Sequence, residues 1–394
     1  MSGPRSRSVV ITLGIFQILA WGSSFYLLTV LAPAIIAQTQ WPSAFVVGGL
    51  SMALLVAGLV SPRIGHTIQR FGGRPVLAAS SVLFAIGLIT LALAPVLPVY
   101  LAGWFVIGLA MAAGLYDPAF ATLGRHYGED ARRMITAVTL FGGFASTVCW
   151  PLTAWLLEQY GWRATCAVYA GLHAFVGLPS YLLLLPKNPP ELIANDKVKE
   201  AGKSELPQAQ QFPALVLLGI ILTLGAVILS MVSTHLVTLL QTRGIELAAA
   251  VALGALIGPS QVSARVIEMT IGRRFHPLWT MLIGVILVAL GILLLWSGLP
   301  LIAAALIAYG AGNGISSIVR GTVPLVLFGP SRYAVLMGKL GLPILIGMAA
   351  APTLGALLID AGGARLAYGT LSVISLLNVV LSVVLLRFCT VAKA

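Results

Sequence analysis

Residues 187–211 read Lys187-Asn-Pro-Pro-Glu-Leu-Ile-Ala-Asn-Asp-Lys-Val-Lys-Glu-Ala-Gly-Lys-Ser-Glu-Leu-Pro-Gln-Ala-Gln-Gln211. This polar stretch interrupts a chain of 394 residues in which hydrophobic types make up 59% and charged types 9%. With a mean hydropathy of +1.01, a chain of this length finds its solvent in lipid. Before the stretch, apolar runs recur at about 9–37, 44–62, 75–95, 98–122, 134–157 and 164–186. After it they recur at about 212–240, 246–264, 276–297, 299–327, 333–358 and 365–388. Each run is long enough for a helix to cross a hydrocarbon layer about 30 Å thick. The pattern predicts an all-α polytopic membrane protein of twelve transmembrane helices: a six-helix bundle over 1–186, a linker over 187–211 and a second six-helix bundle over 212–394. The first run is too long for a signal peptide and reads as a retained span.

The 23 Lys and Arg residues orient the chain. With the N-terminus inside, only Arg163, Arg243 and Arg365 fall on the outer side, and Arg320 and Lys339 fall inside spans; the rest collect on the cytoplasmic side. Both termini are therefore expected in the cytoplasm. The net charge of +12 follows from this asymmetry, and no basic run with interleaved aromatics suggests nucleic acid. Cys149, Cys166 and Cys389 lie far apart in or beside apolar runs, with no CxxC spacing, so no metal site is expected. No cofactor is expected either. The chain has no G-x-x-x-x-G-K-[ST], no HExxH and no GxSxG, and its five histidines are scattered. A membrane-embedded enzyme is therefore disfavoured, whereas a passive facilitator or channel stays open as the alternative to a carrier.

The halves are weakly similar. SPRIGHTIQRFGGRPVL over 61–77 and GPSQVSARVIEMTIGRRFHPL over 258–278 each place a Pro, a lone Arg and a second basic position before the next span. Two six-helix halves related by an axis along the membrane normal are a known transporter plan. Gly65-His-Thr-Ile-Gln-Arg-Phe-Gly-Gly-Arg74 resembles the loop 2–3 signature of the major facilitator superfamily, Gly-x-x-x-Asp-Arg-x-Gly-Arg-Arg/Lys, through Gly65, Arg70, Gly72 and a terminal Arg74. The resemblance implies an alternating-access secondary transporter with these residues, and Arg265 of loop 8–9, at a gate. Gln69 stands where the family has an acid that helps latch the gate, so the latch is absent or rebuilt. The tracts 114–125, 233–244 and 312–324 resemble proteobacterial facilitators, some similar to arsenite exporters, and more distantly monocarboxylate and oxalate carriers. The resemblance places the chain in a bacterial inner membrane as a monomer, with a small molecule, protons and the lipid bilayer as partners.

A charge inside a span costs about 2.5–3.5 kcal/mol on insertion scales, so Asp117, Arg320 and Lys339 stand out. In the family's fold the fourth and tenth spans line a central cavity, and Asp117 and Arg320 are expected to approach one another there, as a proton-coupled substrate pair or as a structural ion pair. Lys339 reads as an anion ligand or as a side chain reaching the membrane surface. Arg265, with Glu268 at i+3, reads as a gate element satisfied locally ahead of a substrate contact. His235 reads as a proton relay or as a hydrogen-bonded core histidine. Ser24, Tyr26 and Asn313 add polar candidates on cavity-type spans. Arg320 with Lys339 suggests a small anion; the subgroup likeness suggests a metalloid or toxic compound, for which Cys149 is the one thiol at a plausible cavity position.

Overall fold

The computed structural model describes residues 4–187 and 206–391, and the regular structure among them is helical. The helices are α1 (Pro4–Gly22), α2 (Leu27–Thr39), α3 (Ser43–Phe71), α4 (Gly73–Leu93), α5 (Leu97–Gly114), α6 (Tyr116–Tyr127), α7 (Ala131–Gly142), α8 (Ala145–Gly171), α9 (Leu178–Leu184), α10 (Gln208–Gln241), α11 (Leu247–Gly254), α12 (Ile257–Thr270), α13 (Pro277–Ser297), α14 (Ile302–Phe328) and α15 (Tyr333–Val391). A π-helical turn, Leu172–Gly177, joins α8 to α9.

Ten stretches among the described residues are long and apolar enough to cross a membrane, and two of them run for 54 and 57 residues. At ~1.5 Å per residue each of these would extend about 80 Å if straight, far beyond one crossing. Both fold back at glycine. Gly161 adopts φ 77° inside α8, and Thr153 Oγ1 hydrogen-bonds Tyr169 Oη at 2.8 Å. Sixteen residues of straight helix would hold those groups about 24 Å apart. In α15 the break is Gly362–Gly363, where Gly363 has φ 64°. Gly347 packs on Thr223 and Val227 of α10 while Gly225, between them, faces Asn378, so both arms of α15 meet one turn of α10. Each long stretch thus crosses twice, and ten stretches give twelve crossings.

The breaks follow from sequence. The fourth span divides at Leu115 because Pro118 has no N–H to give the Gly114 carbonyl. Gln17 Nε2, fully buried, donates to that carbonyl at 2.8 Å instead. The first span breaks between Gly22 and Leu27, through the Ser23–Ser24 interruption visible in its sequence. Large apolar side chains such as Phe175 and Leu183 are 82% and 80% exposed, as lipid-facing positions require.

The chain divides into two compact units: Met1–Lys203 with Gly329–Leu342, and Ser204–Phe328 with Pro343–Ala394. Two local expectations change here. The stretch read as loop 2–3 is helical: α3 runs to Phe71, α4 starts at Gly73, and the connector is Gly72 alone at φ 85°. Gly65 and Arg70 therefore belong to a helix that outlasts its apolar run, and Arg74 to the first turn of the next. The linker expected over 187–211 ends earlier, since α10 starts at Gln208; residues 188–205 lie outside the described residues.

Candidate functional site

In the first unit, Asp117 lies in the opening turn of α6, where helix polarity favours a carboxylate. It is 7% exposed. Ser61 of α3 and Gly341 of α15 converge on it: a methyl group on Gly341 would overlap Ser61 Oγ and sit 3.1 Å from Asp117 Oδ2. Tyr333 lies within electrostatic reach of Asp117, and its ring occupies the space that a side chain at Gly124 would fill. Small residues make this convergence feasible. A Cβ on Gly65 would be 2.5 Å from the Ala334 carbonyl, and one on Gly338 would be 2.6 Å from the Ser61 carbonyl, so α3 and the start of α15 touch backbone to backbone.

Above this carboxylate in sequence order, the breaks of the first and fourth spans gather an aromatic cluster. Trp21 meets Tyr116 at 5.2 Å, Phe25 at 5.5 Å and Tyr26 at 6.4 Å, and Tyr26 meets Trp150 edge-on at 5.8 Å. Gln17 Oε1 and Trp21 Nε1 are buried here without a hydrogen-bond partner among the described residues. Ser24 is spent on its own helix, donating to the Ala20 carbonyl at 2.5 Å. Ser23 instead pairs with His173 Nε2 at 2.8 Å. Cys149 packs into Gly22 and donates weakly to the Ile18 carbonyl at 3.5 Å, so its thiol is a packing group.

In the second unit the decisive residue is Arg265. It lies in α12 and is 5% exposed. Gly310 and Gly314 allow α12 to lie against α14: a Cβ on Gly314 would be 2.5 Å from the Gln261 carbonyl. That approach brings Arg265 Nε to Ser317 Oγ at 3.0 Å and the Gly314 carbonyl at 3.3 Å, and Nη2 to Gln261 Oε1 at 3.4 Å. Nη1 is buried with no hydrogen-bond partner among the described residues. The expected local satisfaction by Glu268 is not what the side chain does; Glu268 accepts from Thr280 Oγ1 at 3.2 Å. Among the described residues, this buried guanidinium is thus hydrogen-bonded to neutral oxygens only. Asn313, Ser317 and Arg320 recur at i, i+4 and i+7 and share one face of α14; Asn313 and Arg320 are half-buried. His235 Nε2 meets the Pro352 carbonyl at 2.8 Å, so that nitrogen carries the proton and donates. Lys339, by contrast, belongs to the first unit and is exposed on the first arm of α15.

Residues 13–275 match the model of the Major Facilitator Superfamily. The chain belongs to this superfamily. It is 26% identical over 309 residues to monocarboxylate transporter 13 of Bos taurus, covering 75% of this chain and 70% of that protein. It is 31% identical over 160 residues to monocarboxylate transporter 11 of Homo sapiens, covering 39% of this chain and 32% of that one. Among solved structures, the human organic anion transporter MFSD10 superposes with a TM-score of 0.77 at 18% identity, over 96% of this chain and 100% of that chain. The proton:xylose symporter XylE gives 0.74 at 13% identity, over 96% and 95%. At these identities the structural likeness is one of fold. The expected superfamily and the all-α polytopic plan are borne out.

The superfamily's loop 2–3 signature takes a neutral form here. Gln69, in place of the acid, donates from Nε2 to the Ser331 carbonyl at 3.0 Å, and its Oε1 is buried without a hydrogen-bond partner among the described residues. Arg70 is exposed and lies over the neighbouring Phe71 ring at 5.0 Å. Arg74 donates to the Leu182 carbonyl, and Arg125 to that of Ile68 at 2.6 Å, so both guanidiniums close helix ends. Sequence reasoning missed the aromatic cluster, Gln17 and the isolation of Arg265. The signal for the last was present: Val262, Ala264, Val266 and Ile267 flank Arg265 and continue the apolar run beyond where it was ended.

Proposed function

We propose that this superfamily member is a secondary active transporter of small organic anions, monocarboxylates first, in a bacterial inner membrane, with both termini cytoplasmic. The observation that carries the reading is Arg265, a buried guanidinium whose hydrogen-bond partners are neutral and whose Nη1 has no acceptor among the described residues. A carboxylate would complete it through a charge-assisted pair. The similarity to proteins named monocarboxylate transporters supports that chemistry. Arg320, one turn beyond Ser317 on α14, adds positive charge in the same unit.

Asp117 is the proton-coupling carboxylate in this reading, since it is a buried acid on a broken span. The chain acts as a monomeric carrier with no enzymatic step. Uptake of labelled two- to five-carbon monocarboxylates into proteoliposomes under an imposed pH gradient tests the proposal. Wild type is expected to accumulate substrate and to show counterflow, which a channel does not. Asp117→Asn is expected to keep counterflow and lose pH-driven accumulation. Failure of every monocarboxylate to move, with a folded protein, overturns the substrate assignment; unchanged accumulation in Asp117→Asn overturns the coupling assignment.

A further inference from the structure

The first unit carries two adjoining cavities that the transport reading leaves unused. One, of about 1420 Å³, opens at the end of the unit where α1 and α7 begin and α6 and α9 end. Its charged lining consists of Arg7, Arg74, Arg133 and Lys187 against Asp130. Four cations facing one carboxylate leave a strongly positive concavity. The other, of about 740 Å³, is a groove between α1 and the last span of the unit. Arg7-Ile11-Ile15 on α1 and Val176-Ser180-Leu184 opposite it recur every four residues, so each triad is one row on one helix face. The buried Phe16 forms its floor, held by Tyr181 at 5.0 Å and by the bare Cα of Gly177. The rows run about 12 Å, two turns along the helix.

The cavities are continuous, for Arg7, Ser8, Ile11 and Leu184 line both. A basic chamber leading into an apolar trough on a lipid-facing surface has the two halves of a phospholipid's chemistry. The geometry points to a binding site for one anionic glycerophospholipid, its phosphate among Arg7, Arg133 and Lys187 and an acyl chain lying between the two rows. Charge complementarity selects an anionic headgroup over a zwitterionic one. The continuity with the groove selects a lipid over a free phosphate. Arg74 is already committed to the Leu182 carbonyl and shapes the chamber wall.

Native mass spectrometry of the full-length chain in detergent tests this with dioleoyl phosphatidylglycerol, dioleoyl phosphatidylethanolamine and glycerol 1-phosphate as probes. Wild type should retain one phosphatidylglycerol at least tenfold more strongly than phosphatidylethanolamine. The double variant Arg7→Gln, Arg133→Gln should lose that preference, and Ser180→Trp, which fills the groove, should lose both lipids. Arg63→Gln, an exposed arginine of α3 outside both cavities, should change nothing. Melting temperatures of all variants separate lost binding from lost folding, and Ser180→Ala should bind as wild type does. Equal loss in Arg63→Gln would reduce the effect to bulk charge and overturn the site. Displacement of the lipid by glycerol 1-phosphate would make it a free-anion site, which also overturns it. Tighter lipid binding on neutralising Glu191, Asp196, Glu200 and Glu205 would mean that carboxylates of the linker are the occupant instead.

Discussion

Replacing Arg265 by Met tests whether that guanidinium serves a ligand or the fold. Methionine keeps the length of the side chain and removes the charge. An arginine in a membrane-spanning helix costs up to about 3 kcal/mol on insertion scales, and a buried donor without an acceptor costs about 1–3 kcal/mol. Against this stand the bonds to Ser317 at 3.0 Å, Gly314 at 3.3 Å and Gln261 at 3.4 Å. Two are long, and the set offsets about 3–4 kcal/mol at the lower end of charge-assisted values. Ser317 Oγ keeps its own bond to the Gly314 carbonyl at 2.7 Å and is not orphaned by the change. The substrate-free Met variant should therefore be more stable than wild type by about 1–2 kcal/mol. A guanidinium that served the fold through a satisfied network would give the opposite sign, a loss of about 3–5 kcal/mol. Denaturation of the purified protein without substrate, beside uptake into proteoliposomes, reads both quantities. Substrate at a hundredfold its Kd should stabilise wild type by about 2.7 kcal/mol and leave the variant unmoved. An Arg265→Met protein that is less stable than wild type and still accumulates monocarboxylate would refute the reasoning.

Gly65→Val should lower the melting temperature by several degrees and abolish transport, because its side chain meets the backbone at Ala334, while Gly48→Ala, with open space around it, should be neutral. Gln69→Glu restores the superfamily's acid but sets a carboxylate against the Ser331 carbonyl. The variant should be less stable than wild type at pH 7 and approach it as pH falls through the ordinary glutamate range near 4.3, and a pH-independent melting difference would count against the Gln69–Ser331 bond. Cys149 should resist maleimide in the folded protein, and Cys149→Ala should transport normally; rapid labelling would contradict its packing against Gly22.

The twelve crossings were legible because hydrophobic length is a sum over many residues and tolerates local error. The reverse turns at Gly161 and Gly362–Gly363 were equally visible as polar gaps between runs. Helix ends were not. Polar residues such as Arg70 and Thr270 can continue a helix beyond the lipid at no cost, so an apolar run marks the membrane and not the helix. That difference moved Gly65 and Arg265 from loops into helices, and with them the meaning of both residues. The partners of Asp117 were beyond reach for another reason: Ser61 and Gly341 are ordinary small residues whose role is fixed by tertiary approach alone. Intramembrane charge was a sound guide to Asp117, Arg320 and Lys339, but it ranked them above Arg265 by placing the eighth span's end at residue 264.

The first unit is assembled from two pieces of chain, and this constrains the order in which the protein can be made. Residues 329–342 leave the ribosome long after the first six crossings have been inserted. Until then the faces of α3 at Ser61 and Gly65, and the slot beside Gly124, have no partner from their own unit. The nascent protein therefore holds a half-finished bundle in the bilayer through the synthesis of four further crossings. A chain severed in the linker leaves its N-terminal fragment without residues 329–342, and that fragment should need coexpression of the C-terminal one to escape degradation.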